Sequence, residues 1–93
     1  ALAAGKGQLQ REDLGSAYRS FKLALQLNPS ETRAQQGLDT IAEKANDLYL
    51  RGYMIRDRDP KEAAKMFREV MDALPSSSET YGKAKTQLTN LGM

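Results

Sequence analysis

A chain of 93 residues, 40% of them hydrophobic and 28% charged, is too apolar for disorder and long enough for one small folded domain, burying roughly 60 to 65% of its unfolded surface. Its net charge of +2 is spread evenly, with six basic against five acidic groups in residues 1–46 and eight against seven in residues 47–93, so the basic face or run of a nucleic-acid binder is missing. Cys and His are both absent, which removes disulfides, thiol chemistry, ordinary zinc sites and His-based acid–base catalysis.

No apolar run approaches the roughly 20 residues that a bilayer span needs, and neither membrane insertion nor a signal peptide is read in these residues. A cysteine-free chain suits the cytosol, the expected compartment; a periplasmic or extracellular setting stays open. The sequence opens on Ala1, already in a helical pattern, and is expected to be a piece of a longer protein.

Leu2, Ala4, Gly5 and Leu9 form a thin apolar stripe at helical spacing, predicting a short first helix over residues 1–11 that a neighbouring helix must complete. Asp13 is the expected N-cap of a second helix, in which Leu14, Ala17, Tyr18, Phe21, Ala24, Leu25 and Leu27 make a broad apolar face. Gly5 and Ala17 let the two helices approach closely, with Phe21 filling the space between them. Asn28 and Pro29 end the second helix, because Pro disfavours helical geometry in the residue before it.

Ser30 is the expected cap of the next element. From Glu31 to Arg56 there is no proline and no turn cluster, and Ala34, Leu38, Ile41, Ala42, Ala45, Leu48, Tyr49, Tyr53 and Ile55 recur at helical spacing. One long third helix is predicted, with Asn46 or Gly52 as the place for any bend. Asp59, Pro60 and Glu62 then supply the cap, the first helical residue and the capping-box carboxylate of a fourth helix. It runs to about Ala73, buries Ala63, Ala64, Phe67, Val70, Met71 and Leu74, and ends at Pro75. Ser76 with Glu79 is expected to cap a fifth helix, which holds Ala84, Leu88 and Leu91 and stops at Gly92.

The spacing Gly5, Ala17, Phe21, Ala24, Pro29 recurs as Arg51, Ala63, Phe67, Val70, Pro75, every member displaced by 46 residues. The same shift carries Leu38, Ala42 and Ala45 onto Ala84, Leu88 and Leu91. Residues 1–93 therefore read as a single domain of two units, about 1–45 and 46–91, with Ala17, Phe21, Ala24, Leu38, Ala63, Phe67 and Val70 as the expected core. Repetition at this period points to a binding surface rather than an active site.

Ala17, Phe21 and Pro29, and again Ala63, Phe67 and Pro75, keep Ala four residues before Phe and Pro eight after it, a pattern that resembles the tetratricopeptide repeat. The resemblance covers the whole chain as two helical hairpins and a closing helix. It implies an all-α, right-handed superhelix of about five antiparallel helices with a long third helix. In the first-helix half, Ala1, Ala4 and Gln8, then Asp47 and Arg51, depart from the family's large or aromatic residues. The 46-residue period exceeds the family's usual length of about 34 by a little over three helical turns, assigned to the third helix because lengthening a helix needs no new loop. Leu50 to Pro75 is also similar to helical-repeat segments attached to bacterial signalling proteins with forkhead-associated domains.

In the family, consecutive first helices line a concave groove that holds a peptide. By matching position, the resemblance implies groove residues Leu2, Lys6, Leu9 and Gln10 on the first helix with Arg33, Gln36, Gly37 and Thr40 on the third. Further along it implies Tyr49, Gly52 and Arg56 with Lys83 and Thr86 on the fifth. Leu2 and Gln36 stand where the Lys, Arg and Asn set of carboxylate-binding members would be needed, so that activity is expected to be absent.

Several local patterns have a functional and a structural interpretation. Tyr49 and Tyr53, four apart, suit a stacking platform or packing against the fourth helix, and packing is the expectation. Asp57 and Asp59 suit helix capping over a cation loop, which lacks its other carboxylates and its turn glycine. Ser76 to Ser78 suit a capped turn over a phosphate acceptor. Met54, Met66 and Met71 suit core filling over an adaptable surface. Arg51, Arg56, Arg58 and Lys61 are interleaved with Asp57, Asp59 and Glu62, a self-paired solvated face. Gly5 to Gly7 lacks the spacing and the preceding strand of a phosphate loop.

No signature arrangement joins the remaining Ser, Thr, Lys and carboxylates, so an enzyme is not expected. The expectation is a protein-interaction module that takes a peptide or partner protein in a helical groove, with no cofactor and no metal. Self-association, through Leu2, Leu9 and Tyr18 or by hairpin exchange along the third helix, is the alternative. RNA binding by a helical repeat is the third, weighed down by the even charge.

Overall fold

The computed structural model describes residues 2–92; Ala1, one of the departures from the repeat signature, and Met93 lie outside them. Five helices follow one another: α1 (Leu2–Gln10), α2 (Leu14–Leu27), α3 (Thr32–Ile55), α4 (Pro60–Ala73) and α5 (Glu79–Leu91). No strand occurs among the described residues, and none of their helices is long and apolar enough to cross a membrane.

Local chemistry sets each boundary. α1 ends in a Schellman motif: Glu12 adopts φ 59°, its N–H bonds to the Leu9 carbonyl, and the Asp13 N–H reaches back to Gln8. The Asp13 carboxylate then accepts from the Ser16 N–H, starting α2. Asp59 accepts from the Glu62 N–H with Pro60 in the first turn of α4. Gly92 closes α5 in the left-handed region at φ 73°.

Two caps differ from expectation. Ser30 donates its N–H to the Asn28 side chain and is used up in that turn, so the Glu31 carboxylate caps α3 by accepting from the Arg33 N–H. Ser76 and Ser77 lie inside a turn closed by the Ser78 N–H on the Pro75 carbonyl, so Ser78, not Ser76, caps α5 through the Tyr81 N–H.

Short connections make consecutive helices hairpins. α3 is unbroken over 24 residues, about 36 Å at 1.5 Å per residue, and accounts for most of the 42 Å long dimension of the molecule. It packs on both α2 and α4. α2 also touches α4, and α3 touches α1 and α5. The result is two layers, α1, α3 and α5 in one, α2 and α4 in the other.

Each hairpin is built around one phenylalanine. Phe21 is buried between Gly5 of α1 and Gly37 of α3, where an added Cβ would approach the ring to 2.9 and 2.5 Å. Phe67 lies against Gly52, with a corresponding approach of 2.9 Å, and meets the Tyr49 ring at a centroid distance of 5.6 Å. The counterpart of Gly5 is therefore Gly52. Arg51, which the 46-residue shift selects, is exposed.

Ala17, Ala24, Ala63 and Val70 join the two rings in one core with Ile41, Ala45 and Leu48, and Leu38 packs half-buried against it. Between α1 and α2 the Ser20 hydroxyl donates to the Gln8 side-chain amide at 2.7 Å. Two apolar residues depart from expectation. Leu27, on the predicted buried face, is 75% exposed, and Met54, expected in the core, is 79% exposed. Each sits on the side of its helix opposite the phenylalanine contacts; Met66 and Met71 do pack against the core.

Candidate functional site

At about 100° per residue, the buried positions Ala34, Gly37, Ile41, Ala45, Leu48 and Gly52 fix one face of α3. Gln36, Asp39, Glu43, Asp47, Leu50 and Met54, all exposed, form a single stripe on the other. The first two-thirds of this stripe are polar and acidic. Beyond Asp47 it turns apolar, with Leu50, Tyr53 and Met54 open to solvent.

α5 flanks that distal half. The Thr80 hydroxyl donates to the Asn46 side-chain oxygen, and further along both helices Arg56 Nη1 donates to Gln87 Oε1 at 2.8 Å. Both bonds advance in the same chain direction, so α5 runs beside α3 in parallel. Between the two helices lies a cleft of about 310 Å3 lined by Asn46, Tyr49, Leu50, Glu79, Thr80 and Lys83.

The aromatic pair divides its roles. Tyr49 is half-buried against Phe67, as the packing interpretation expects. Tyr53, whose ring centroid is 6.2 Å from that of Tyr49, is exposed, with the Arg56 guanidinium 4.1 Å above its ring. Stacking on the ring and the bond to Gln87 hold Arg56 in a defined position.

The groove residues implied by the repeat resemblance do not form one continuous set. Tyr49 and Lys83 share the cleft, with Arg56 one turn beyond Gly52 and Thr86 exposed on α5. Lys83 is already paired with Glu79 at 3.3 Å. Gly52 and Gly37 leave the set, because they are buried as seats for Phe67 and Phe21 and have no side chain to offer a ligand. On α1, Leu2 and Leu9 pack half-buried against the core, while Lys6 and Gln10 are exposed. Gln36 is exposed, and the Thr40 hydroxyl donates to the Gln36 carbonyl at 3.0 Å.

Arg33 is committed locally. Its Nε lies 3.0 Å from Glu31 Oε1. That side-chain hydrogen bond, followed by the bond from the Arg33 N–H, holds the Glu31 carboxyl below its ordinary value and raises the guanidinium in turn.

α1 is nine residues long against the 24 of α3, and it cannot flank the distal half. Where it stops, Lys44 of α3 meets Glu12 at 3.7 Å, and a charged notch opens between Glu12, Asp47, Arg51 and Glu69. The notch separates the α1 candidates from the α3–α5 cleft.

Leu50 and Met54 lie on this candidate face; the sequence reading omits Leu50 and assigns Met54 to the core. The signal was in the sequence. Leu50, Tyr53 and Met54 repeat at three and four residues on a helix whose other face is already complete.

No family model, curated protein or solved structure matches the chain.

Proposed function

We propose that this chain is a non-catalytic protein-interaction module built from two tetratricopeptide-like units, and that it offers the distal face of α3, flanked by α5, to a segment of a partner polypeptide. The observation behind this reading is the contiguous exposure of Leu50, Tyr53 and Met54 beside a cleft in which Asn46, Glu79, Thr80 and Lys83 accompany the apolar Tyr49 and Leu50. Apolar side chains bordered by positioned polar groups suit a docked peptide or helix better than a small metabolite. Three features support the repeat assignment: one phenylalanine at the centre of each hairpin, a middle helix common to both, and two layers that alternate along the chain.

A photo-reactive residue placed at Met54, with one at exposed Lys65 of α4 as control, tests the reading in the protein's own cells. Adducts are expected from Met54 and not from Lys65. Equal adducts from both positions, or none from Met54, would overturn it.

A further inference from the structure

We infer that the occupant of the α3 face is a second copy of this chain, seated head to tail through the outer side of its α2. This rests on the reading of distal α3 as a partner surface and adds the identity of the partner. Among the described residues, the exposed large hydrophobics fall into two patches: Leu50, Tyr53 and Met54 on α3, and Leu23 and Leu27 on α2. Both patches are built on the same four-residue step, Leu50 to Met54 and Leu23 to Leu27, so their ridges match in spacing.

The flanking charges are opposite in sign. Glu43 and Asp47 precede the α3 patch, whereas Arg19 and Lys22 accompany the α2 patch on its N-terminal side, and all four are exposed. None of them joins an ion pair among the described residues; Arg19 only donates to the Ser16 hydroxyl at 3.1 Å.

Charge also sets the direction. With the patches superposed in parallel, Leu23 on Leu50 and Leu27 on Met54, Arg19 falls level with Asn46 and next to Asp47. Superposed antiparallel, Leu23 on Met54 and Leu27 on Leu50, Arg19 falls beyond the end of α3, in the turn that holds Asp57, Arg58 and Asp59, and Lys22 falls level with Ile55, next to Arg56. That arrangement forgoes the pairing with Asp47 and brings Lys22 beside Arg56, so the charges favour the parallel seat.

The two faces belong to different layers and point away from each other, so one contact leaves a free face at either end. Such a heterologous contact extends rather than closes. A helix of 14 residues is about 21 Å long, too short to reach the roughly 800 Å2 per partner of stable complexes. Association is accordingly weak and depends on local concentration.

Sedimentation velocity from micromolar to millimolar protein tests this with the wild type, Leu23→Ser/Leu27→Ser, Leu50→Ser/Met54→Ser, and an equimolar mixture of the two variants, each checked for wild-type circular dichroism. The wild type is expected to exceed dimer mass as concentration rises, each variant to remain monomeric, and the mixture to form a 1:1 dimer and stop there. Within the mixture, Arg19→Glu on the chain donating α2 weakens the dimer several-fold, and Asp47→Arg on the chain donating α3 restores it. A monomeric wild type at millimolar concentration, association surviving in either variant, or a mixture that stays monomeric overturns the second-copy assignment. Absent charge-swap rescue overturns the parallel seat. Adducts from Met54 to a different protein alone would sink this inference and leave the proposed function standing.

Discussion

Phe21 of α2 and Gly37 of α3 are in such close contact that a Cβ on Gly37 would lie 2.5 Å from the ring Cζ, and Gly5 blocks the ring's retreat on the other side. Gly37→Ala sets about 1 kcal/mol of helix propensity against about 1 to 3 kcal/mol of overpacking. With the ring held on both sides, overpacking wins. Urea denaturation is expected to show a net loss of stability. At Gly82 on α5 nothing lies within 4 Å of an added Cβ, so Gly82→Ala is expected to stabilise by about 0.5 to 1 kcal/mol. The reverse order of the two variants would contradict the packing.

Truncating either phenylalanine removes the centre of a hairpin. Phe67→Ala is expected to cost about 3 to 5 kcal/mol, much of the roughly 5 to 15 kcal/mol available to a small domain. Its loss also frees the Tyr49 ring, whose near-ultraviolet dichroism should weaken. A cost close to zero with the signal unchanged would show that the ring is not central.

Glu12 holds a left-handed conformation that costs a non-glycine residue about 1 to 2 kcal/mol. Its ion pair with Lys44 is solvent-exposed at 3.7 Å and offsets little of this. Glu12→Gly is expected to raise stability by about 0.5 to 1 kcal/mol after the added freedom of the unfolded chain is deducted. Lys44→Ala should be close to neutral in the same melts.

The Glu31 carboxyl titrates below its ordinary value because Arg33 bonds to it, first through the side chain and then through the backbone N–H. A depressed folded-state pKa means that the cap's contribution is fully present above the unfolded value and fades as pH falls through the folded one. Arg33→Ala is expected to move the Glu31 midpoint upward in an NMR titration; an unmoved midpoint would discard the pairing.

Leu50→Ser/Met54→Ser removes exposed apolar surface and touches no buried contact. Stability is expected to stay within about 0.5 kcal/mol of wild type while partner capture is lost. A large drop in melting temperature would mean that these side chains belong to the fold and not to a docking face.

What the sequence revealed was what local chemistry determines alone. Asp59 and Pro60 mark a helix start without help from the rest of the molecule, and Phe21 and Phe67 announce the two hairpins by spacing. Failures came where two local solutions compete or where three-dimensional phase matters. Ser30 and Ser76 are good caps that the preceding turns consume, leaving Glu31 and Ser78 to do the capping. A strict 46-residue shift points to Arg51, whereas the ring of Phe67 meets Gly52, because helix and turn between them divide the chain differently from Gly5 to Phe21.

Met54 and Leu27 show the limit for the site itself. An apolar residue on an amphipathic helix is ordinarily core, and only the filling of the opposite face by Leu48, Gly52 and Phe67, or by Ala17, Phe21 and Ala24, reveals that these two have nothing to pack against. The division of the expected groove was equally out of reach, since it follows from where α1 stops relative to α3.

Because α3 supplies one wall to each hairpin, neither can melt without stripping the other of its support. Heating should therefore produce a single calorimetric peak rather than two, and a break engineered at Asn46, by proline for instance, should split that peak. An uninterrupted rod of this kind also leaves no hinge within α3 between the part that α1 packs on and the part that α5 packs on.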